Sequence, residues 1–218
     1  MEQLVSTEWL ANELGASDLR LVDASMFLPS DNRNAAAEFE DEHIPGAVFM
    51  DLSEIVDSAN PLPMMLPGAE KFASRMQSLG LGDGSRIVIY DNSPWKSAPR
   101  AWWMLSQVFG AHGVAVLDGG LAKWKAEGRA LESGKPTIRH RHFTAWKNDK
   151  VVRDKAQMRA NIDAWSPLVE DASVEAIVMN ASGCGVMVKD YGHALQDDPR
   201  YAAKAARISA LTRDLSEL

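Results

Sequence analysis

The stretch Arg86-Ile87-Val88-Ile89-Tyr90-Asp91 decides the fold, because an apolar run of strand length ends there in a polar loop. The loop covers residues 92–97, and a helical pattern over 98–109 follows it. A strand, a loop and a helix in this order direct backbone N–H groups toward whatever occupies the loop, which suits an anion or a thiolate. Asp91 can be neither a thiolate nor a persulfide carrier, so this loop begins without a sulfur nucleophile.

Helical patterns and short Val/Ile/Leu runs alternate on both sides of this stretch, through the first 130 residues. Such alternation is typical of an α/β fold, in which helices cover both faces of a parallel sheet, here of about five strands. Predicted strands cover 19–23, 47–49, 86–90 and 114–117, and predicted helices cover 6–14, 34–42, 68–79, 98–109 and 121–127.

The composition excludes several classes of function. The 218 residues include 23 Lys and Arg against 30 Asp and Glu, a net charge of −7, so nucleic acid is not an expected partner. No apolar run reaches the about 20 residues that span a bilayer, and residues 1–5 do not resemble a targeting segment, so a cytoplasmic location away from membranes is expected. The acidic cluster at 38–42 is interpreted as a solvated helix end, and no metal and no cofactor are predicted.

Four stretches resemble a known family in their order and spacing. They are His43-Ile44-Pro45-Gly46-Ala47, the run Leu66-Pro67-Gly68-Ala69-Glu70-Lys71-Phe72, the run Ser97-Ala98-Pro99-Arg100-Ala101-Trp102-Trp103-Met104, and Leu117-Asp118-Gly119-Gly120-Leu121-Ala122-Lys123-Trp124. Together they resemble the rhodanese-like domain, and specifically the N-terminal half of two-domain thiosulfate/3-mercaptopyruvate sulfurtransferases. The favoured interpretation of the tryptophans is core packing, and that of His43 is structural hydrogen bonding.

The resemblance implies a reaction and a place for its nucleophile. Members of the family move a sulfane sulfur from thiosulfate or 3-mercaptopyruvate to a thiol or cyanide, through a persulfide on a cysteine of the second domain. The matching position in a first domain is commonly aspartate, as Asp91 is here. Met64 stands where the family often has histidine, which weakens any contribution to the substrate pocket. Arg100 is the one cation placed to meet an anionic substrate or a partner domain, although a structural salt bridge is favoured.

The resemblance also divides the chain. Residues 1–135 are predicted to form the rhodanese-like domain, and residues 136–157, with the basic stretch Arg139-His140-Arg141-His142, a linker. In the segment 158–218 the pattern predicts a helix ended by Ser166-Pro167, a single strand over 176–179, and helices over 186–195 and 199–215. Because a single strand forms no sheet, this segment is expected to dock on the first domain, to pair with another chain or to stay partly disordered.

The same segment resembles part of the cysteine-rich region of a glycolate oxidase iron–sulfur subunit, over 158–165, 181–193 and 202–218. This resemblance implies a join between two unrelated proteins near residues 157–162. A gene fusion and an artefact of sequencing or assembly are the two alternatives for its origin.

Cys184, the only cysteine of the chain, has three interpretations. As a sulfurtransferase nucleophile it would lie between a strand and a helix that opens after Gly185, but Met187 stands where the family's loop has glycine. As an iron–sulfur ligand it lacks the about three further protein ligands that a cluster needs. The favoured interpretation is a small, semi-buried residue in a turn.

The predicted function is therefore that of a sulfurtransferase-family chain that lacks the catalytic domain and is inactive alone. Two alternatives stay open: an active sulfurtransferase that carries the persulfide on Cys184, and a fragment of an iron–sulfur electron-transfer subunit. The expected partners are a small anionic sulfur donor, if the chain is active, and a partner domain or second copy that covers an exposed apolar patch.

Overall fold

A computed structural model describes residues 1–152, 155–170, 174–179, 182–214 and 217, and only the backbone of 182–184 and 214. The chain divides into two compact units, Met1–Val151 and Val152–Leu218. This boundary falls inside the predicted linker, so residues 136–151 belong to the first unit.

The first unit contains an all-parallel sheet of five strands in the order β1-β5-β4-β2-β3. The strands are β1 (Leu4–Val5), β2 (Leu19–Asp23), β3 (Ala47–Phe49), β4 (Arg86–Tyr90) and β5 (Val114–Leu117). The α/β fold and the bounds of β2 to β5 confirm the prediction. The two residues of β1 are too short for a periodic pattern, and β1 was not predicted.

Five helices flank the sheet: α1 (Thr7–Glu13), α2 (Ala35–Asp41), α3 (Ala69–Ser78), α4 (Ala98–Trp103) and α5 (Gly120–Ala126). Polar side chains begin two of them. Ser6 Oγ accepts a hydrogen bond from the backbone N–H of Trp9 at 3.1 Å, and Asn34 Oδ1 accepts one from Ala37 at 3.0 Å. These caps satisfy donors that a helix start leaves without an intrahelical acceptor.

Helix α4 does not continue regularly to Phe109, as the sequence predicts. A π-helical turn, Met104–Val108, follows it, and the Phe109 N–H bonds to the Met104 carbonyl at 2.9 Å. The wider turn buries Met104, Leu105, Val108 and Phe109 together. In the sequence the spacing of these four residues is that of an ordinary α-helix. Burial of all four side chains explains why the π-helical turn forms instead.

The core of the first unit surrounds β4. All residues from Ile87 to Tyr90 are at most 1% exposed, which explains why this strand is continuously apolar rather than alternating. One cluster packs against α1, α2 and α5, and its members include Leu10, Phe39, Val88, Leu117 and Trp124.

Residues 136–148, which we call the strap, pack on the first unit. Phe143 is 3% exposed and lies edge-on to Phe72, with ring centroids 5.9 Å apart. The Asp83 carboxylate accepts from the Thr144 N–H at 2.8 Å and from its hydroxyl at 2.7 Å, and the Asp83 N–H donates to the His142 carbonyl at 2.9 Å. The stretch that the sequence assigned to a linker is thus fixed to the amino end of β4.

The second unit has a core of its own. Its elements are α6 (Lys155–Val169), β6 (Ile177–Met179), α7 (Ser182–Lys189), α8 (Tyr191–Ala194), α9 (Ala202–Leu211) and β7 (Thr212–Asp214). Ile162, Tyr191, Ala205 and Ile208 are among its buried residues. In the ranges described, no helix is long and apolar enough to cross a bilayer.

Two predictions for this unit are wrong. Pro167 lies inside α6 and does not end it; since α6 stops two residues later, the proline disturbs only the last turn. The predicted single strand has a partner, because β6 and β7 pair in parallel from Ile177 opposite Thr212 to Met179 opposite Asp214. The sequence places 212–214 in a helical pattern, which concealed this strand.

Candidate functional site

The candidate site lies at the carboxyl edge of the first unit's sheet. From β2 the chain passes through α2 to β3 on one side, and from β4 it passes through α4 to β5 on the other. A crevice for ligands commonly lies where an open parallel sheet reverses direction in this way. Asp23 ends β2 here, and Asp91 directly follows β4.

Asp91 is held by both its side chain and its backbone. The carboxylate is 4% exposed, and it accepts from the Ala98 N–H at 2.6 Å and from the Ser93 N–H at 3.3 Å. The Asp91 carbonyl accepts from the Leu121 N–H at 3.0 Å, and a Cβ on Gly120 would lie 2.4 Å from that carbonyl oxygen. The Asp91 carboxylate therefore lies against the N–H of Ala98, the first residue of α4, where the loop would otherwise bind an external anion.

Two serine hydroxyls of this loop and one of the loop after β2 form a network. Ser93 Oγ lies 2.6 Å from Ser97 Oγ, and Ser97 Oγ donates to the Ala24 carbonyl at 2.7 Å. Ser93 Oγ also accepts from the Met26 N–H at 3.0 Å, and Ser25 Oγ accepts from the Asn92 N–H at 2.8 Å. Serine hydroxyls thus connect the loops after β2 and β4. The backbone N–H of Asn92 is already bonded within the protein.

Asp23 and Tyr90 form a second polar group beneath this loop. Asp23 Oδ1 accepts from the Ser25 N–H at 2.8 Å, and the Tyr90 hydroxyl accepts from the Ile44 N–H at 3.3 Å. Burial raises the pKa of Asp23, against the hydrogen bonds from Ser25 and Tyr90, and the Asp91 charge adds to the rise. Burial, with the Asp23 charge next, raises the pKa of Tyr90 well above its usual value.

Arg100 lies half-buried on α4 without a carboxylate. Its guanidinium donates to the Met64 carbonyl, and its Nε is buried with no hydrogen-bond partner. Burial lowers the pKa of Arg100. The ion pairs formed among described residues do not include Arg100, so the favoured prediction of a structural salt bridge is wrong. Met64 has a φ of 59°, which presents its carbonyl to this guanidinium.

Cys184 belongs to the other unit. It lies in the first turn of α7, which begins at Ser182, so a helix that opens after Gly185 and a turn at Cys184 were both wrong. The thiol lies outside the described part of the chain. Among the side chains that are described, no three His, Cys, Asp or Glu residues form a group that could hold a metal ion.

The structural interpretation of His43, Trp102 and Trp124 is confirmed. His43 Nδ1 donates to the Phe39 carbonyl at 2.7 Å, and the two rings stack with centroids 4.1 Å apart. Trp102 Nε1 donates to the Val114 carbonyl at 3.1 Å, and Trp124 Nε1 donates to the Ala130 carbonyl at 2.8 Å. These side chains support the sheet and its helices rather than the loop.

Two cavities open beside the loop. One, of about 180 Å³, is lined by Asp91, Lys96, Pro99, Gly119 and their neighbours. The other, of about 230 Å³, is lined by Asp23, Ser25, Asn92 and side chains of α2 and α5. The sequence pattern singled out Asp91 but not Asp23 or the serines. The one sequence signal for these residues is that they are polar and lie at, or soon after, the end of a buried strand.

Comparison with known proteins gives one consistent result. Residues 6–127 match the family model of the rhodanese-like domain. The chain is 41% identical over 167 residues to the 3-mercaptopyruvate sulfurtransferase of Homo sapiens, with 74% of this chain and 56% of that protein covered. It is 40% identical over 149 residues to the enzyme of the same name from Escherichia coli K12, with 68% and 53% covered.

Solved structures agree with the sequence matches. The 3-mercaptopyruvate sulfotransferase SseA of Escherichia coli superposes with a TM-score of 0.71 at 32% identity, over 87% of this chain and 69% of that one. Tum1 of Saccharomyces cerevisiae shares the fold, with a TM-score of 0.67 at 24% identity over 82% and 60%. The chain spans about half the length of the curated relatives it matches.

Proposed function

The chain belongs to the rhodanese-like domain family of sulfurtransferases, and on this premise we propose that it is a non-catalytic first domain with a tail, unable to transfer sulfur alone. The observation that carries the proposal is the carboxylate of Asp91, bonded to the Ala98 N–H at 2.6 Å where a catalytic loop would begin with a cysteine. A carboxylate cannot hold a sulfane sulfur as a persulfide, and transfer by this family's chemistry requires that intermediate.

The backbone of the loop supports the same proposal. A persulfide is stabilised by several N–H groups that curl around the sulfur. Here Pro94 has no N–H, the Asn92 N–H bonds to Ser25, and the Lys96 N–H bonds to the Ser93 carbonyl at 3.3 Å. Too few amides are left to surround an anion larger than the carboxylate already present.

The test is sulfane-sulfur transfer from thiosulfate and from 3-mercaptopyruvate, with cyanide or a thiol as acceptor. We expect no turnover above the uncatalysed rate for the full chain, and none for Asp91→Cys, because the loop still lacks free amides. Cys184→Ser is the control for the rival hypothesis. Turnover that disappears in Cys184→Ser would show that Cys184 carries the persulfide and would refute the proposal.

We also propose that the carboxyl edge of the sheet binds a partner domain. Large apolar side chains are exposed there in the loops after three adjacent strands: Leu28 (48% exposed), Leu62 (50%), Met65 (40%) and Trp95 (40%). The Met26 to Ser93 hydrogen bond connects two of these loops, so their side chains are held on one rim. Exposed apolar patches of this kind mark interaction sites.

Sedimentation velocity over a range of protein concentrations tests this surface. A second copy of the chain is the partner available in such a sample, so we expect concentration-dependent association that Leu62→Ser/Trp95→Ser weakens. The matched control is Leu168→Ser, which removes a side chain that is 65% exposed but lies on α6 of the second unit. Equal weakening by both variants would argue against a specific rim.

A further inference from the structure

The strap forms a basic surface at the amino edge of the sheet, opposite the Asp91 loop. Residues 135–150 include five Lys or Arg and one acidic residue, in a chain whose net charge is −7. Lys135 pairs with Glu40 at 3.1 Å, and Lys147 pairs with Asp149 at 3.0 Å. Arg139 and Arg141 are exposed, and neither takes part in an ion pair among the residues that the structure describes.

Arg20, near the start of β2, adds a third cation to this surface. Burial and then the charge of Arg141 lower the pKa of Arg20, so these two guanidinium groups are close enough to repel each other. The acid that opposes this effect is Asp18, whose two carboxylate oxygens already accept from Arg86 at 2.7 and 2.9 Å. An anion bound near Arg20 and Arg141 would reduce the repulsion between the two guanidinium groups.

A cavity of about 270 Å³ lies close to Arg141. Its lining includes Gly82, Ile87, Phe143 and Trp146, together with Asp83 and His112. A Cβ on Gly82 would lie 2.8 Å from the Cβ of Arg141 and 3.2 Å from its Cδ, so the stem of Arg141 passes over the cavity wall. The Trp146 side chain is 73% exposed although its backbone N–H is fixed to the Phe109 carbonyl at 3.0 Å.

The surface is held in place without its charged side chains. The strap is fixed through Phe143, through Thr144 on Asp83, and through the backbone of His142. None of these bonds uses the guanidinium of Arg139 or Arg141. Two free cations and an exposed indole on an ordered segment form a preorganised surface, which lowers the entropic cost of binding.

We propose that this surface binds an acidic segment of a partner protein, with its carboxylates on Arg139 and Arg141 and one apolar side chain in the cavity beside Trp146. Guanidinium groups fit carboxylates in a bidentate geometry, and an aromatic wall fits an apolar side chain. The inference does not rest on the proposed function, because the two sites lie at opposite edges of the sheet.

A protein segment fits this surface better than a nucleic acid. Proteins that bind nucleic acid through the backbone commonly neutralise about 6–10 phosphates, whereas the cations of this surface that form no ion pair with a described residue are Arg139, Arg141 and Arg20. The remaining surface belongs to a chain of net charge −7, which repels a long polyanion. A short acidic segment avoids that repulsion and also uses the apolar cavity.

Fluorescence anisotropy on the full chain tests the proposal. The probe is a short fluorescein-labelled peptide of alternating Asp and Glu residues with one central Phe, and the variant is Arg139→Ala/Arg141→Ala, which keeps the Cβ atom that lies on Gly82. We expect saturable binding that weakens about ten-fold or more in the variant and at high salt. The matched control Arg75→Ala/Lys204→Ala removes the same charge from exposed positions on α3 and α9, and binding should stay within about two-fold.

A second comparison tests the cavity. Replacing the peptide's Phe with Ala should weaken binding to the wild-type chain, but much less to Trp146→Ala, because the two changes remove the same contact. The proposal is overturned by an absence of saturable binding, by equal losses in both charge variants, or by additive effects of the two aromatic changes. Tighter binding of a single-stranded oligothymidine than of the peptide would also overturn it, in favour of a nucleic acid.

Discussion

At the scale of single residues, the most consequential side chain is Asp91, which acts as an internal anion. We expect Asp91→Ala to lower the free energy of unfolding of the first unit by about 1–2 kcal/mol, the usual cost of a lost helix cap. Asp91→Asn should cost less, since its carbonyl can still accept from the Ala98 N–H. Urea unfolding followed by circular dichroism measures both.

The control for Asp91 is another aspartate that accepts two hydrogen bonds, one of them from a backbone N–H. Asp51 accepts from the Ser53 N–H at 2.9 Å and from its hydroxyl at 2.6 Å, in an exposed turn. Asp51→Ala should therefore cost only a few tenths of a kcal/mol, as is usual for surface substitutions. If the two alanine variants cost the same, Asp91 does not act as a buried cap.

The raised pKa of Asp23 predicts that the free energy of unfolding depends on pH. Its pKa in the fold is raised above the unfolded value of 3.8, so the ionised form is disfavoured by folding. Stability from this group is full below pH 3.8 and is lost as the pH rises through the folded pKa. Asp23→Asn should therefore gain stability relative to the wild type at neutral pH.

The measurement is urea unfolding of both proteins across acidic to neutral pH. The difference between them isolates Asp23, because Asp18 and Asp83, whose pKa values are lowered by hydrogen bonds, lose their contributions in both proteins on acidification. We expect the advantage of Asp23→Asn to shrink as the pH falls toward 3.8. An advantage that grows on acidification would mean that Asp23 is stabilised as a carboxylate.

At the scale of secondary-structure elements, the start of α5 packs so closely against the Asp91 loop that its first residue has no room for a side chain. Gly120 has a φ of 57°, and a Cβ there would lie 2.4 Å from the Asp91 carbonyl oxygen. Gly120→Ala should cost about 2 kcal/mol or more, from the strained backbone and the contact together. Gly128→Ala separates the cost of the strained backbone from the cost of the contact. Gly128 has a φ of 66° with nothing within 4 Å of its Cβ position, so this variant should cost only about 1 kcal/mol. Thermal unfolding of the two variants measures the difference.

The elements also show what the sequence could and could not predict. The apolar runs of β2 to β5 are local signals, and each of these strands is present where it was predicted. The missed features depend on distant contacts: β1 pairs with β5 over two residues, and β7 needs β6. Pro167 is compatible with a helix only because the helix is already ending.

The site divides in the same way. Asp91 could be predicted, because it follows a long apolar strand and stands at a position with a family counterpart. The serine network could not, since the loops that carry Ser25 and Ser93 meet only after β2 and β4 pair in register. The salt bridge expected for Arg100 failed for a related reason: the loop at Met64 brings a carbonyl, not a carboxylate, to the guanidinium.

At the scale of the whole molecule, the strap decides where the first unit ends. A linker could be removed without loss, but Phe143 and Thr144 bind the strap to α3 and to the loop before β4. We therefore predict that a fragment of residues 1–151 folds with the circular dichroism of an α/β domain, whereas a fragment of residues 1–135 is less stable by about 3 kcal/mol or more, the usual cost of removing a buried aromatic side chain. In the full chain, Phe143→Ala should reproduce most of that loss, and Trp146→Ala, at a position that is 73% exposed, should cost little. Chemical denaturation of these four proteins decides the point, because equal stability of the two fragments would make residues 136–151 a linker after all.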